Sequence, residues 1–101
     1  MILTTTHSIE DYKIIEYLGI VSGISVNMQT MKMTFNMKKY YAAISESIAE
    51  VKEQAFAQLK ENAEKLNANA VVGINVDMEL TTSNYVTVTI TGTAVYIAKS
   101  K

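Results

Sequence analysis

The sequence predicts an α+β fold in two layers, with one long amphipathic helix on one face of an antiparallel sheet. The predicted order is strand, long helix, two-strand hairpin, with short extra strands. Three observations carry this prediction. Apolar residues recur at steps of three and four from Ile44 to Leu66, the mark of one helical stripe. Two later runs, from Val72 to Leu80 and from Val86 to Tyr96, alternate with period two as half-buried strands do. The first 28 residues are rich in Ile, Val, Thr and Tyr, the residues that suit a pleated surface.

The elements follow in order. Ile2 to Thr6 reads as a short strand, and His7-Ser8-Ile9-Glu10-Asp11 as a loop. Lys13 to Met28 reads as one long bent strand or two short ones. Gly19 and Gly23 mark places where a missing side chain admits a bulge or a close backbone approach. Met31, Met33, Phe35 and Met37 alternate with Lys32, Thr34, Asn36 and Lys38, again a strand pattern. Its phase is offset by one from Val26 and Met28, which asks for a bulge or turn near Gln29 and Thr30.

The helix is expected from Lys39 to Leu66, with Ile44, Ile48, Val51, Ala55, Leu59, Ala63 and Leu66 on its buried stripe and an Ile48→Lys change strongly destabilising. Glu61 precedes Lys65 by four residues in the favourable order for an ion pair. Asn67 is placed to end the helix in a left-handed conformation. Such a helix is about 42 Å long, against about 26 Å for an eight-residue strand, so part of the stripe is expected to overhang its sheet and to be covered by a neighbouring subunit. Thr81-Thr82-Ser83-Asn84 is the expected hairpin turn. The threonines at 87, 89, 91 and 93 form a polar sheet face that suits solvent or a subunit contact equally well.

Composition narrows the function. At 101 residues, 49% of them hydrophobic and 19% charged, the chain has the material for one folded domain spanning residues 1–101. The net charge is -1 and all nine basic residues are lysine, so the concentrated basic surface and bidentate arginines of nucleic-acid recognition are missing. The chain contains no cysteine, which excludes disulfides, thiolate metal sites and a thiol nucleophile. No apolar run approaches the roughly 20 residues of a membrane helix, and Met1 to Thr6 lacks the basic head of an export signal. A cytoplasmic location, without membrane or nucleic-acid partners, is the expectation.

Few residues point to chemistry. His7, the single histidine, lies with Glu10 and Asp11 in one loop that offers imidazole and carboxylate donors. Four of the six methionines fall between Met28 and Met37, and thioethers at Met31, Met33 and Met37 are donors for a soft or transition metal ion. The same spacing also describes ordinary packing. Asp77 and Glu79 share a polar strand face, which reads as a solvated surface. The chain shows no nucleophile at a fixed offset from His7, no glycine-rich phosphate loop and no dinucleotide fingerprint.

Three stretches, TTTHSIEDYKIIEYLGIVSG (4–23), NANAVVGINVDME (67–79) and TITGTAV (89–95), together resemble the YbjQ-like family, which carries a heavy-metal-binding label. The resemblance implies a dodecin-like subunit with extra short strands that promote a ring, typically a pentamer. It brings no ligand set that can be carried over residue by residue. The sequence departs from familiar members in two places. A Met- and Lys-rich stretch from Met28 to Tyr41 replaces a glycine-rich, arginine-containing segment, and Asn67 replaces the usual glycine after the helix. The resulting expectation is a non-enzymatic homo-oligomer, a pentamer, holding a metal ion or small ligand at subunit boundaries. The alternative is an apolar pocket between subunits, lined by the methionines with Tyr40, Tyr41 and Tyr96. A third reading is an enzyme that uses His7 and its neighbouring carboxylates.

Overall fold

A computed structural model describes residues 1–28, 37–80 and 85–100, with side chains described for 1–26, 48–80 and 85–100. The elements are β1 (Ile2–Leu3), β2 (Tyr12–Met28), α1 (Met37–Lys65), β3 (Ala70–Leu80) and β4 (Tyr85–Lys99). They form one four-stranded sheet in the order β1-β3-β4-β2, with α1 on one face. The fold is therefore the predicted two-layer α+β arrangement. The pairs β2–β4 and β3–β4 are antiparallel, and the short β1 adds a parallel pair beside β3.

Only Ile2 and Leu3 of the predicted first strand are strand, and the next residues run along a bulge in β3. Thr4 N–H donates to Val71 C=O (3.0 Å), Ile74 N–H to Thr4 C=O (3.1 Å) and Gly73 N–H to Thr6 C=O (2.8 Å). Strand β2 is a single element of 17 residues, paired with β4 from Tyr12–Lys99 to Met28–Tyr85. Register shifts between Ile14 and Glu16 and between Tyr17 and Gly19 give it its bends, and Gly19 (φ 138°) supplies the backbone that the second one needs.

These long strands correct the expected overhang. Strands of 17 and 15 residues reach about 50 Å, and the 29-residue helix about 43 Å, so the sheet is as long as the helix it carries. The molecule is an elongated ribbon of 59 × 21 × 16 Å. Its radius of gyration of 16.9 Å compares with about 13 Å for a compact chain of this length.

Helix α1 begins at Met37, so Met37 and Lys38 are helical and not the end of a strand; positions 29–36, where the rest of that alternation falls, lie outside the described residues. Val51, Ala55, Leu59 and Ala63 are fully buried, as the stripe predicts, with Ile48 partly buried at its margin and Leu66 40% exposed. The side chain of Ile44 lies outside the described set. At the C-terminus Asn67 adopts φ 64°. Asn67 N–H donates to Glu64 C=O (3.0 Å) and Ala68 N–H to Ala63 C=O (3.1 Å), the paired bonds of a Schellman cap. The Glu61–Lys65 pair forms at 3.9 Å with both side chains about two-thirds exposed, a geometry that contributes little to stability.

The core lies on both faces of the sheet. On the helix side Val21, Val71, Ile74, Val86, Val88, Ile90 and Ala94 pack with the stripe. On the opposite side Ala70, Val72, Val95 and Ile97 form a second cluster, covered by Ile9, Tyr12 and Ile14. The alternation from Val72 to Leu80 predicts one continuous face, but β3 changes phase between Val72 and Asn75. Gly73 (φ 61°) makes the extra residue of that bulge possible, so Val72 faces away from the helix while Ile74 faces it. The expected turn at 81–84 lies outside the described residues, and the register Leu80–Val86 confirms the hairpin on either side of it.

Candidate functional site

The predicted metal loop is well tied down. Thr6 Oγ1 donates to Ser8 C=O (2.7 Å), the Thr4 and Thr6 hydroxyls lie 2.8 Å apart, and Thr6 N–H donates to Thr4 Oγ1 (3.2 Å). Asp11 closes the loop with φ 68°, Tyr12 N–H bonding back to Ile9 C=O (3.1 Å). An open groove of about 700 Å³ runs beside it, lined by Ile2, Leu3, Thr4, Thr6, Ser8, Ile9 and Glu10.

His7 does not face carboxylates in a cluster. Its imidazole lies against the β3 bulge, where a Cβ on Gly73 would come within 3.3 Å of Nδ1. His7, Glu10 and Asp11 are exposed, and among the described residues no three His, Asp or Glu side chains stand together as a metal site. Met31 and Met33 lie outside the described residues. Met37 is placed by its backbone alone, at the start of α1, and Tyr40 and Tyr41 likewise within it. Asp77 and Glu79 are exposed on the sheet face away from the helix, and Asp77 accepts a bond from Asn75 Nδ2 (3.3 Å). Tyr96 is about half exposed near the end of β4.

What the structure does bring together is apolar surface. Register places Tyr17, Ile20, Ile24 and Val26 of β2 opposite Val95, Thr93, Thr89 and Thr87 of β4, all on the face without the helix. Ile20 is 84% exposed, Tyr17 70%, and Ile24 and Val26 just over half. The half-buried threonines of β4 lie beside this row, and Asn75, Asp77 and Glu79 of β3 lie beyond them. A second exposed row, Val76, Met78 and Leu80, lies on the helix side of β3, because α1 packs on β2 and β4 and barely reaches that strand. Among the described residues β4 has a strand along each side, whereas β3 has β4 on one side and only the short β1, at Ala70 and Val71, on the other. Beyond Ile74 the outer edge of β3 has no strand next to it among the described residues.

The β2 row was not singled out by sequence reasoning, although a signal for it was present. Ile14-Ile15, Tyr17-Leu18 and Ile20-Val21 are apolar at adjacent positions, which is how a strand with apolar side chains on both faces reads.

Comparison with known proteins agrees with this architecture. A family model described as "Putative heavy-metal-binding" (YbjQ_1) matches residues 1–98. The chain belongs to the YbjQ family. Relatives of this family named UPF0145 protein include one from Acetivibrio thermocellus, 34% identical over 96% of this chain and 99% of its own length. Another, from Clostridium kluyveri, is 35% identical over 96% of this chain and 99% of its own. A crystal structure from Pediococcus pentosaceus, described as a protein of unknown function in the DUF74 family, superposes with a TM-score of 0.72 at 20% identity. It covers 97% of this chain and 98% of that one, a likeness of fold.

The family description names heavy metals, so the donor set of this YbjQ chain can be set against it. The chain has no cysteine, its one histidine packs on a glycine bulge, and its described carboxylates do not converge. The described residues of one subunit do not fit a heavy-metal site. Among them, no helix is long and apolar enough to cross a membrane.

Proposed function

We propose that this YbjQ chain is a non-enzymatic, cytoplasmic subunit of a homo-oligomer, a five-membered ring, that takes a soft or transition metal ion where subunits meet. The observation that carries the assembly is the uncovered apolar surface. Tyr17, Ile20, Ile24 and Val26 on one face and Val76, Met78 and Leu80 on the other leave an elongated ribbon with two exposed apolar rows, the kind of surface that marks a protein–protein contact. Beyond Ile74 the outer edge of β3, which has no strand beside it among the described residues, lies along the second row, so a neighbour there gains backbone hydrogen bonds and apolar burial together. Ring closure requires a head-to-tail contact between unlike surfaces, and these two rows are unlike in both strand and face. The metal part of the proposal rests on the family description, on the imidazole of His7 and on the thioethers of the 28–37 segment.

Native mass spectrometry of the untagged protein tests both parts, first as purified and then after addition of copper(I) or zinc. A five-subunit mass with stoichiometric added metal is expected. A monomer at micromolar concentration overturns the assembly. A ring that takes up no metal overturns the metal part, and a ring that carries an organic adduct instead favours the inter-subunit small-molecule pocket.

A further inference from the structure

Among the described residues β2 is the outermost strand on its side of the sheet, and the open edge of such a 17-residue strand is a template for another chain. The middle of that edge is occupied by side chains from the helix. Gly23 is buried and lets α1 settle on the strand, since a Cβ there would fall on the Ala55 carbonyl oxygen. The approach brings Gln54, Gln58 and Asn62, each one helical turn from the next, over β2. Gln58 Oε1 accepts Ile24 N–H (2.6 Å), Asn62 Nδ2 donates to Ser22 C=O (2.8 Å) and Gln54 Oε1 accepts the Ser25 hydroxyl (2.9 Å).

The two backbone bonds have a specific pattern. A parallel strand laid against β2 would place one residue opposite Gly23, its N–H donating to Ser22 C=O and its C=O accepting Ile24 N–H. Asn62 supplies that donor and Gln58 that acceptor. We infer that Gln58 and Asn62 together stand in for this single residue and close the centre of the β2 edge to strand addition by a second copy of the chain. The bulges at Ile14/Glu16 and Tyr17/Gly19 bend the strand on the near side of the closure, so the flat part of the edge is the part that the amides hold. The inference is independent of any ring, because the wild-type mass, whatever it is, serves as the reference.

The donor and acceptor roles make the test specific. Gln58→Glu keeps an acceptor for Ile24 N–H, whereas Gln58→Leu removes it, and Asn62→Asp sets an acceptor against the Ser22 carbonyl. Hydrogen exchange at Ile24 N–H is expected to quicken about tenfold in Gln58→Leu and to stay near wild type in Gln58→Glu. The Gln58→Leu/Asn62→Leu double variant, checked for native circular dichroism, is expected to form larger thioflavin-positive species as concentration rises, and Gln58→Glu is not. Equal Ile24 exchange in Gln58→Leu and wild type overturns the inference, as does a folded double variant that keeps the wild-type mass throughout. If the double variant does not fold, the exchange comparison decides alone.

Discussion

A single methyl group at Gly23 is the sharpest test of how the two layers meet. In Gly23→Ala the new Cβ overlaps the Ala55 carbonyl oxygen and lies 2.9 Å from Leu59 N and 3.0 Å from Ala55 C. Ordinary contact needs about 3.5–4.0 Å, and the obstructing atoms are helix backbone that cannot rotate aside, so α1 must lift by about 1 Å. Overpacking of this kind costs about 1–3 kcal/mol. Lifting the helix also stretches the bonds from Gln58 and Asn62 to the strand, each worth about 1 kcal/mol. Against this, alanine recovers about 0.5–1 kcal/mol of the entropy that glycine loses in a strand. The net expectation is a loss of about 2–4 kcal/mol, or a melting temperature lower by about 10–25 °C. Urea and thermal unfolding at matched protein concentration measure it, the matching being needed because assembly makes the transition concentration-dependent. A change within about 0.5 kcal/mol, the range of an ordinary surface substitution, would refute the close approach and with it the edge closure.

Other changes probe separate parts of the structure. Asn69 acts as an extra strand residue for β4, donating from Nδ2 to Ile97 C=O (2.9 Å) and accepting Ile97 N–H at Oδ1 (2.8 Å). Asn69→Ala should therefore cost about 1–3 kcal/mol in urea unfolding, and Asn69→Asp at neutral pH at least as much, since its carboxylate meets the Ile97 carbonyl. Gly73→Ala forces a left-handed residue to carry a Cβ beside His7, for about 1–2 kcal/mol; adding His7→Ala should relieve the contact but not the backbone strain, so the double variant stays below wild type in a thermal melt. Leu59→Ala, at a fully buried stripe position, should cost about 2–5 kcal/mol in urea unfolding, whereas Ile48→Lys should cost less, because a half-buried lysine can extend its charge to water. Ile20→Lys should leave the subunit folded by circular dichroism and lower the oligomeric mass in light scattering.

Legibility differed from element to element for physical reasons. The helix could be placed because its stripe faces a single surface, and its end because Asn67 is one of few residues that accept a left-handed backbone cheaply. The hairpin was legible from period two, but not the face of Val72. A one-residue bulge at Gly73 reverses the phase, and alternation cannot report an inserted residue. Whether Lys13 to Met28 is one long strand or two short ones stayed open for a related reason, since apolar residues at adjacent positions blur the period, and the overhang argument, which took strands of eight residues, failed with it. At the candidate site, the sequence could list donors but not their convergence. His7 and Gly73 are 66 positions apart, and only the folded bulge shows that the imidazole packs on the glycine.

The two ends of the ribbon stand in different physical situations, and this bears on where function resides. Near β1 the sheet is covered twice, by the C-terminal half of α1 on one face and by Ile9 and Tyr12 on the other. Toward the Leu80 end of β3 the outer face carries exposed Ile24 and Val26 beside half-buried threonines, and β3 shows Val76, Met78 and Leu80 where the helix barely reaches. A free subunit would leave that half poorly covered, and strand addition at the centre of β2 is the simplest unwanted remedy. Gln58 and Asn62 block that route at the cost of holding two polar side chains in one geometry. The outer edge of β3 has no such guard among the described residues. With the centre of β2 closed, the outer edge of β3 is the edge left open to a neighbour, which favours a contact between unlike surfaces over the pairing of two like edges.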